Sequence, residues 1–186
     1  MSQKFAKFIL NRILGWHSPD TSAVPENRAV ILGVPHTSIY DFVVGYLFYR
    51  SVGGKMRTMI KKEAFFFPLG VLFRSLGAFP MDRKHPQAML KNLIEEMEAS
   101  EKFHLVICPE GTRKAVHKWK TGYHTIARDT GAALYLGYFD YATRTLGFKK
   151  CPFELTEDAR GDTDAIQMEY ERMGLTAKHP SGYTTR

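Results

Sequence analysis

Short continuous apolar runs alternate with segments of helical periodicity along most of the 186-residue chain. The apolar runs have the length and composition of buried strands, and they predict strands at 28–34, 56–60, 78–81, 103–108, 132–139 and 145–148. The periodic segments predict helices at 41–50, 68–76, 86–100 and 121–130, and a last helix from Asp162 or Thr163 to Met173. Because strands and helices alternate, residues 28–186 are expected to form one α/β domain with a largely parallel central sheet flanked by helices.

Residues 1–27 follow a different pattern. At about 100° per residue, the apolar side chains of 2–16 fall on one arc of a helix and the polar ones on another. The apolar arc holds Phe5, Phe8, Ile9, Ile13 and Trp16, and the polar arc holds Gln3, Lys4, Lys7 and Asn11. Arg12 interrupts the apolar arc. The pattern predicts an amphipathic helix and a polar connector, and the helix either packs on the domain or lies on a membrane surface.

No apolar run approaches the ~20 residues that a membrane-spanning helix needs. The longest run, at 64–73, is broken by Pro68 and Gly70. The N-terminal segment lacks the pattern of a signal peptide, because Asn11 and Arg12 interrupt its apolar stretch and no small-residue cleavage site follows. If the protein meets a membrane, we therefore expect it to lie on the surface.

The composition limits the classes of binding partner that we expect. The chain has 26 Lys and Arg against 19 Asp and Glu, a net charge of +7, which favours an anionic partner such as nucleic acid or a membrane surface. It contains no zinc-ligand spacing, RRM signature or other familiar nucleic-acid motif, so we expect a lipid surface and no nucleic acid. Its two cysteines, Cys108 and Cys151, have no metal-like spacing and are typical of a reducing compartment. We expect a cytoplasmic protein, peripheral on the cytoplasmic face of the membrane.

A histidine and an aspartate five residues apart occur twice. The pair His124 and Asp129 lies inside a predicted helix, where five residues rotate a side chain by about 140° net, so the two groups point to different faces. His36 and Asp41 instead lie between a strand end and a helix start. A turn there can fold the carboxylate back onto the imidazole, so only this pair is a candidate catalytic dyad.

Asp41 also has a purely structural interpretation. Ser38 and Asp41 have the spacing of a capping box, with Ser38 as the N-cap and Asp41 at the third helical position, where the helix dipole favours an acidic group. The two interpretations are compatible, because a carboxylate held at a helix start is well placed to orient a neighbouring imidazole.

A second candidate site follows the strand at 103–108. The segment Pro109-Glu110-Gly111-Thr112-Arg113 is either a tight turn leaving the strand or a ligand loop. In the second case Gly111 lets the backbone approach a ligand, and Arg113 binds a phosphate or carboxylate. Arg83 is a similar candidate for binding an anion. In the alternative interpretation, it is a surface arginine paired with Asp82.

From about Val30 to Phe139 the chain resembles the glycerolipid acyltransferases, typified by the lysophosphatidic acid (1-acylglycerol-3-phosphate) acyltransferases. Residues 36–41 look like the catalytic His-x4-Asp motif of that family. Residues 61–65 with Pro68 and Gly70, leading into 77–83, are similar to its second element. Residues 109–113 match its Phe-Pro-Glu-Gly-Thr-Arg motif, and 119–122 resemble the aromatic-Lys-x-Gly that follows. Each element is short, but their joint order and spacing are specific.

Three positions depart from the family pattern. Pro35 replaces the usual Asn before the histidine, and Cys108 replaces the usual Phe before Pro-Glu-Gly. The segment 132–136 lacks the proline of the last family element. These departures concern the identity of the acceptor and leave the reaction class unchanged.

The resemblance implies transfer of a fatty acyl group from an acyl thioester, acyl-CoA or acyl-ACP, to the hydroxyl of a lysophospholipid-like acceptor such as 1-acylglycerol-3-phosphate. It makes His36 the general base and Asp41 its orienting partner. The other site residues that it implies are the head-group cations Lys61, Arg83, Arg113 and Lys120, and the pocket-shaping Glu110, Gly111 and Thr112. The acyl thioester is a co-substrate, and neither a bound cofactor nor a metal is implied.

Two alternatives stay open: a non-catalytic basic domain that binds a lipid surface, and an acyltransferase acting on a different, non-glycerophosphate acceptor. The apolar run at 64–73 also has more than one interpretation. It could line an acyl channel or contact lipid, but core packing is the interpretation that we prefer for most of its members.

Overall fold

A computed structural model describes residues 1–82 and 84–185 and contains a six-stranded sheet in the order β3-β2-β4-β1-β5-β6. The strands are β1 (Arg28–Val34), β2 (Met56–Lys61), β3 (Ala78–Met81), β4 (Phe103–Ile107), β5 (Ala133–Asp140) and β6 (Thr145–Phe148). The first five are mutually parallel, and β6 runs antiparallel to β5 at one edge. The predicted α/β class with a largely parallel sheet is confirmed.

In the described part of the chain, six α-helices accompany the sheet: α1 (Gln3–Phe8), α2 (Ile39–Ser51), α3 (Leu69–Ser75), α4 (Pro86–Ala99), α5 (Gly122–Thr130) and α6 (Ala159–Met173). A π-helical turn (Ile9–Ile13) continues α1, and 3₁₀ turns form at Lys62–Ala64 and Pro180–Gly182. The last helix begins three residues before the predicted Asp162. It starts earlier because Asp158 caps it, accepting hydrogen bonds from the backbone N–H groups of Arg160 and Gly161.

Helices cover both faces of the sheet, which explains why β1 is an unbroken apolar run. Successive strand residues point to opposite faces. Accordingly Val30 and Leu32 pack with apolar side chains of α4, α5 and α6, whereas Ala29 and Ile31 pack with α2 and the N-terminal segment. The carboxyl ends of the five parallel strands remain free of these layers, and the loops that leave them form one edge of the molecule.

The N-terminal amphipathic helix is present, but its apolar arc is divided. Trp16 is 2% exposed and buried with Ala6 and Leu10, whereas Phe5 and Ile13 are 55% and 63% exposed. The change from α- to π-helical turns after Phe8 alters the angular spacing of side chains, so a single helical period does not describe the whole segment. The helix thus packs on the domain and also presents an apolar face.

The interpretation of the run at 64–73 as mainly core is wrong. Phe67 is 86% exposed, and Phe66, Val71 and Leu72 are exposed as well. This segment forms the surface loop and the short helix α3 between two strands at one side of the sheet, where no further layer covers it. No helix in residues 1–82 and 84–185 is long and apolar enough to cross a membrane.

Candidate active site

The candidate site residues lie just beyond the carboxyl ends of the parallel strands. Lys61 is the last residue of β2, and Asp82 directly follows β3. His36 lies two residues beyond β1, Glu110 three residues beyond β4, and Tyr141 directly after β5. Since the carboxyl ends of parallel strands meet at one edge of a sheet, these groups share one side of the molecule. In open α/β sheets this edge is the usual place for a ligand.

His36 and Asp41 are brought together by the start of α2. His36 Nδ1 lies 3.4 Å from Asp41 Oδ2, and the same oxygen accepts hydrogen bonds from the backbone N–H groups of Thr37 and Ser38, each at 2.8 Å. The predicted capping box is confirmed, with Ser38 as the N-cap. The cap and the dyad therefore coexist: the interactions that begin the helix also hold the carboxylate beside the imidazole.

The two members of this pair differ in exposure. The Asp41 side chain is 2% exposed, whereas the His36 side chain is 24% exposed. Nδ1 faces the carboxylate, and the ring also hydrogen-bonds to the side chain of Cys108; Nε2 is the ring nitrogen that does not face Asp41. The arrangement can orient an imidazole, select its tautomer and stabilise its protonated form.

Tyr141 also contacts Asp41, and the sequence analysis did not predict this residue as part of the site. Its phenol donates a hydrogen bond to Asp41 Oδ1, the oxygen that faces away from the imidazole. The tyrosine is 100 residues away in sequence. The available signal was its place two residues after the predicted strand at 132–139.

Glu110 joins the loops after β1 and β4. Its side chain is buried, and Oε1 accepts a hydrogen bond of 2.9 Å from the backbone N–H of His36. Oε2 is buried with no hydrogen-bond partner among the described residues. Burial raises the pKa of Glu110 to about 7, because an ionised carboxylate loses its hydration there. Glu110 therefore positions the His36 backbone and retains a proton to near neutrality.

The pKa of His36 is raised above its ordinary value of 6.5. The largest contribution to this raised pKa is the electrostatic interaction with the neighbouring Cys108 side chain. Hydrogen bonds to Asp41 and Cys108 and the charge of Glu110 raise the pKa further, and burial opposes them. Cys108 is a free, half-buried cysteine. A raised pKa makes the free imidazole a stronger base but a smaller fraction of the protein at neutral pH.

The loop after β4 places the remaining predicted residues. Gly111 has φ +64°, a conformation that favours glycine, and a Cβ there would lie 3.3 Å from Lys120 Cγ. The Lys120 backbone N–H donates to Pro109 O at 2.8 Å, and Thr112 Oγ1 accepts from Lys114 N at 3.3 Å. The sequence Pro109–Lys120 is thus a folded loop held by its own hydrogen bonds.

Three predicted cations lie at this edge on exposed positions. Lys61, Arg113 and Lys120 form no ion pair with any residue in the described part of the chain. Arg83 lies outside the described residues. Its expected alternative partner, Asp82, contacts Lys62 at 3.2 Å and His85 at 3.5 Å.

The second His-x4-Asp spacing is not a dyad, as predicted. His124 Nε2 lies 2.9 Å from Asp162 Oδ2, a partner on α6 that sequence spacing did not indicate. Asp162 also accepts hydrogen bonds from the backbone and side chain of Thr156. Both partners are buried, and Asp129 is exposed.

The segment after α6 covers the loops of the site, which the sequence did not predict. The His179 backbone N–H donates to Thr37 Oγ1 at 3.2 Å, and Lys178 Nζ lies 4.1 Å from the ring centroid of Tyr40. A Cβ on Gly182 would lie 2.8 Å from the Arg113 carbonyl oxygen. This tail closes over both motifs.

One cleft of about 360 Å³ lies between β3 and α4, and its lining includes Phe79, Asp82, His85 and Met89 but not His36 or Asp41. Within residues 1–82 and 84–185, no group of three or more His, Cys, Asp or Glu side chains could hold a metal ion.

Comparisons with known proteins give the family and support the fold. A family model described as Acyltransferase matches residues 18–154, a span that contains β1 to β6 and both motifs. The crystal structure of the 1-acyl-sn-glycerophosphate (LPA) acyltransferase PlsC from Thermotoga maritima is similar, with a TM-score of 0.63 and 16% identity over 95% of this chain and 80% of that chain. A comparison with curated protein sequences finds no match. Because the family model covers most of the chain, the protein belongs to the acyltransferase family.

Proposed function

We propose that the protein transfers a fatty acyl group from an acyl thioester, acyl-CoA or acyl-ACP, to the hydroxyl of a lysophospholipid-like acceptor such as 1-acylglycerol-3-phosphate. The observation that carries the proposal is the pair of His36 and Asp41 at the carboxyl edge of the sheet, 3.4 Å apart and with the imidazole accessible. The named activity of the similar Thermotoga maritima enzyme supports the choice of acceptor.

In the proposed reaction, His36 Nε2 takes the proton of the acceptor hydroxyl while that oxygen attacks the carbonyl carbon of the thioester. The new C–O ester bond forms, the C–S bond breaks, and the imidazolium returns its proton to the leaving thiolate. Asp41 keeps Nδ1 protonated and stabilises the imidazolium. General-base assistance of this kind contributes about 10²–10⁴-fold to the rate.

The exposed cations are proposed to bind the acceptor head group. Lys61 ends β2, and Arg113 and Lys120 belong to the loop after β4, the neighbour of the strand β1 that leads to His36. A guanidinium such as that of Arg113, which has no carboxylate partner among residues 1–82 and 84–185, is suited to bind phosphate through two hydrogen bonds. Arg83, after the neighbouring β3, is proposed for the same role on the resemblance of its motif alone.

Peripheral membrane binding is part of the proposal, and an apolar surface supports it. The exposed apolar side chains of this surface are Phe5, Phe8, Ile13, Ile39, Val43, Phe66, Phe67, Val71 and Leu72. The elements that carry them are neighbours: α1 packs in one buried cluster with α2, and Phe42 of α2 contacts Phe73 of α3 with ring centroids 6.5 Å apart. Lys4 and Lys7 are exposed nearby and would add attraction to anionic lipid.

The deciding experiment for the reaction is a panel of acyl-CoA and acyl-ACP donors with glycerophosphate and other lysolipid acceptors, with products identified by mass. Ester product with wild-type protein and none with His36→Ala supports the proposal. Lipid binding without any product across the panel would instead favour a non-catalytic lipid-binding domain. Product only with an acceptor lacking phosphate would favour the alternative acceptor class.

Membrane binding is tested by substitution, because deletion of residues 1–16 would remove Ala6, Leu10 and Trp16 from the core. The triple variant Phe5→Ser, Phe8→Ser and Ile13→Ser should bind anionic vesicles at least about tenfold more weakly, since burying even one phenylalanine contributes about 1.5–3 kcal/mol. Met168→Ser is the control, because this exposed residue lies on α6, on the opposite side of the sheet. Unchanged cosedimentation of the triple variant would contradict the proposed docking surface.

A further inference from the structure

The carboxylate of Asp41 is held from three directions. Oδ2 accepts from the backbone N–H groups of Thr37 and Ser38 and faces the imidazole of His36. Oδ1 accepts from the phenol of Tyr141. Because Asp41 is 2% exposed, water has little access to replace a lost donor at either oxygen. The phenol hydrogen bond is therefore the interaction that holds Oδ1.

Rotation of this carboxylate would affect the base directly. The last side-chain torsion of an aspartate is broad and has weak intrinsic preference, so its setting depends on the hydrogen bonds of both oxygens. The distance between His36 Nδ1 and Asp41 Oδ2 is already 3.4 Å, longer than most N–H···O hydrogen bonds. A small rotation away from the imidazole would remove the contact.

Tyr141 is itself held by both ends of the chain. Its ring meets that of Trp16 edge-on, with centroids 4.8 Å apart and planes at 90°. Trp16 is 2% exposed and ends the N-terminal segment that carries Phe5, Phe8 and Ile13. On the other side, the Tyr141 backbone N–H donates to the Thr176 carbonyl in the tail after α6.

We propose that Tyr141 is a positioning residue for the His36–Asp41 pair, and that Trp16 holds its ring and so links the N-terminal segment to the catalytic base. The inference rests on the proposed function for its catalytic consequence, but the positioning itself concerns only the imidazole and the carboxylate. Tyr141 touches neither substrate nor the reacting atoms in this role.

Tyr141→Phe tests the phenol, because it keeps the ring against Trp16 and removes only the hydroxyl. We expect kcat to fall about tenfold, the effect of losing one hydrogen bond to a charged group, with the acceptor KM unchanged. The matched control is Tyr135→Phe. Tyr135 lies on β5, the strand that Tyr141 directly follows, and its phenol also donates to a carboxylate, Glu26 Oε1 at 2.9 Å, but away from the dyad.

A histidine NMR titration measures the titration midpoint of His36 and needs no enzymatic activity. A merely structural role of Tyr141 would leave this midpoint unchanged. The His36 resonance is identified by its absence in His36→Ala. Tyr141→Phe should lower the His36 titration midpoint towards 6.5, because the imidazolium loses part of its partner, whereas Tyr135→Phe should leave it in place. An unchanged or raised midpoint in folded Tyr141→Phe would overturn the proposal.

The two hypotheses fail in distinguishable ways. If His36→Ala keeps its activity, the proposed base is wrong, and the NMR titration still decides whether Tyr141 positions the imidazole. If His36→Ala is inactive but Tyr141→Phe matches Tyr135→Phe in kcat and titration, only the positioning role is wrong.

Trp16→Phe tests the link to the N-terminal segment. It should lower kcat by a smaller factor than Tyr141→Phe, and the double variant should lose no more than Tyr141→Phe alone, since both act through one phenol. Multiplied losses in the double variant would show that Trp16 acts separately from Tyr141 and would overturn this part of the proposal.

Discussion

Two of the histidine–aspartate pairs in the described residues differ in sequence separation, distance and exposure of the histidine. His36 and Asp41 are five residues apart in sequence, 3.4 Å apart in space, and the histidine is accessible at the carboxyl edge of the sheet. His124 and Asp162 are 38 residues apart, in contact at 2.9 Å, and their side chains are only 5% and 7% exposed. The pair with the shorter contact, His124 and Asp162, is the buried one. A short, buried contact therefore indicates a structural role, whereas a base must keep one nitrogen open to substrate.

The accessible pair should show the largest effect on catalysis. His36→Ala is expected to reduce turnover by about 10²–10⁴-fold, the usual contribution of a general base, without unfolding the protein, because the ring is at the edge of the core. Steady-state kinetics with circular dichroism measures both. His117→Ala, an exposed histidine in the loop after β4, is the control and should keep its activity. Activity of His36→Ala within a few-fold of the wild type would contradict the assignment.

Substitution in the buried pair, His124 and Asp162, should lower stability and leave catalysis nearly unchanged. His124→Ala removes the imidazole that contacts Asp162 Oδ2 and leaves that buried carboxylate only its hydrogen bonds from Thr156; losing one partner of a buried hydrogen bond destabilises a fold by about 1–3 kcal/mol. Urea unfolding should therefore show a lower free energy of unfolding, while kcat per folded molecule stays close to that of the wild type. A loss of kcat as large as that of His36→Ala, in folded protein, would mean that the comparison assigns the two pairs the wrong way round.

Arg113 tests whether the accessible pair has an anion site beside it. Arg113→Ala should raise the acceptor KM about ten- to a hundredfold, because a charge-assisted contact contributes about 1.5–3 kcal/mol, and should change the donor KM little. Lys114→Ala removes a neighbouring exposed charge and serves as the control. An unchanged acceptor KM in Arg113→Ala would exclude the guanidinium from head-group binding.

Glu110 allows a smaller, pH-dependent test of the same edge. Its pKa is raised by burial from 4.5 to about 7, so the folded state holds a proton that the unfolded state has released. The contribution of Glu110 to stability is fully present below pH 4.5 and is lost as pH rises to about 7. Glu110→Gln keeps an acceptor for the His36 N–H, so it should remove this decline.

The expected gain is about 1–3 kcal/mol in the free energy of unfolding at pH 8 relative to the wild type, with no gain at pH 4. Urea unfolding at several pH values measures it. Equal pH dependence in wild type and Glu110→Gln would show that Glu110 is ionised in the folded state well below neutrality.

Short-range features of the protein could be read from the sequence. The strands Arg28–Val34 and Thr145–Phe148 have the predicted bounds. The first is a continuous apolar run, which suits a strand covered on both faces. The contact between His36 and Asp41 was also predictable, since the spacing that makes Asp41 part of a helix cap also turns its carboxylate towards residue 36. Such features depend on the local backbone and on residues within one helical turn.

The partners of that local pair were decided by the tertiary structure. Glu110 reaches the His36 backbone across 74 residues and Tyr141 reaches Asp41 across 100, and neither distance in sequence carries a periodic signal. These contacts exist because the strand order places β4 and β5 on either side of β1. The exposure of Phe67 and the division of the N-terminal apolar arc have the same origin. Hydrophobic periodicity shows that a side chain is apolar, but only the arrangement of neighbouring elements determines whether another layer covers it.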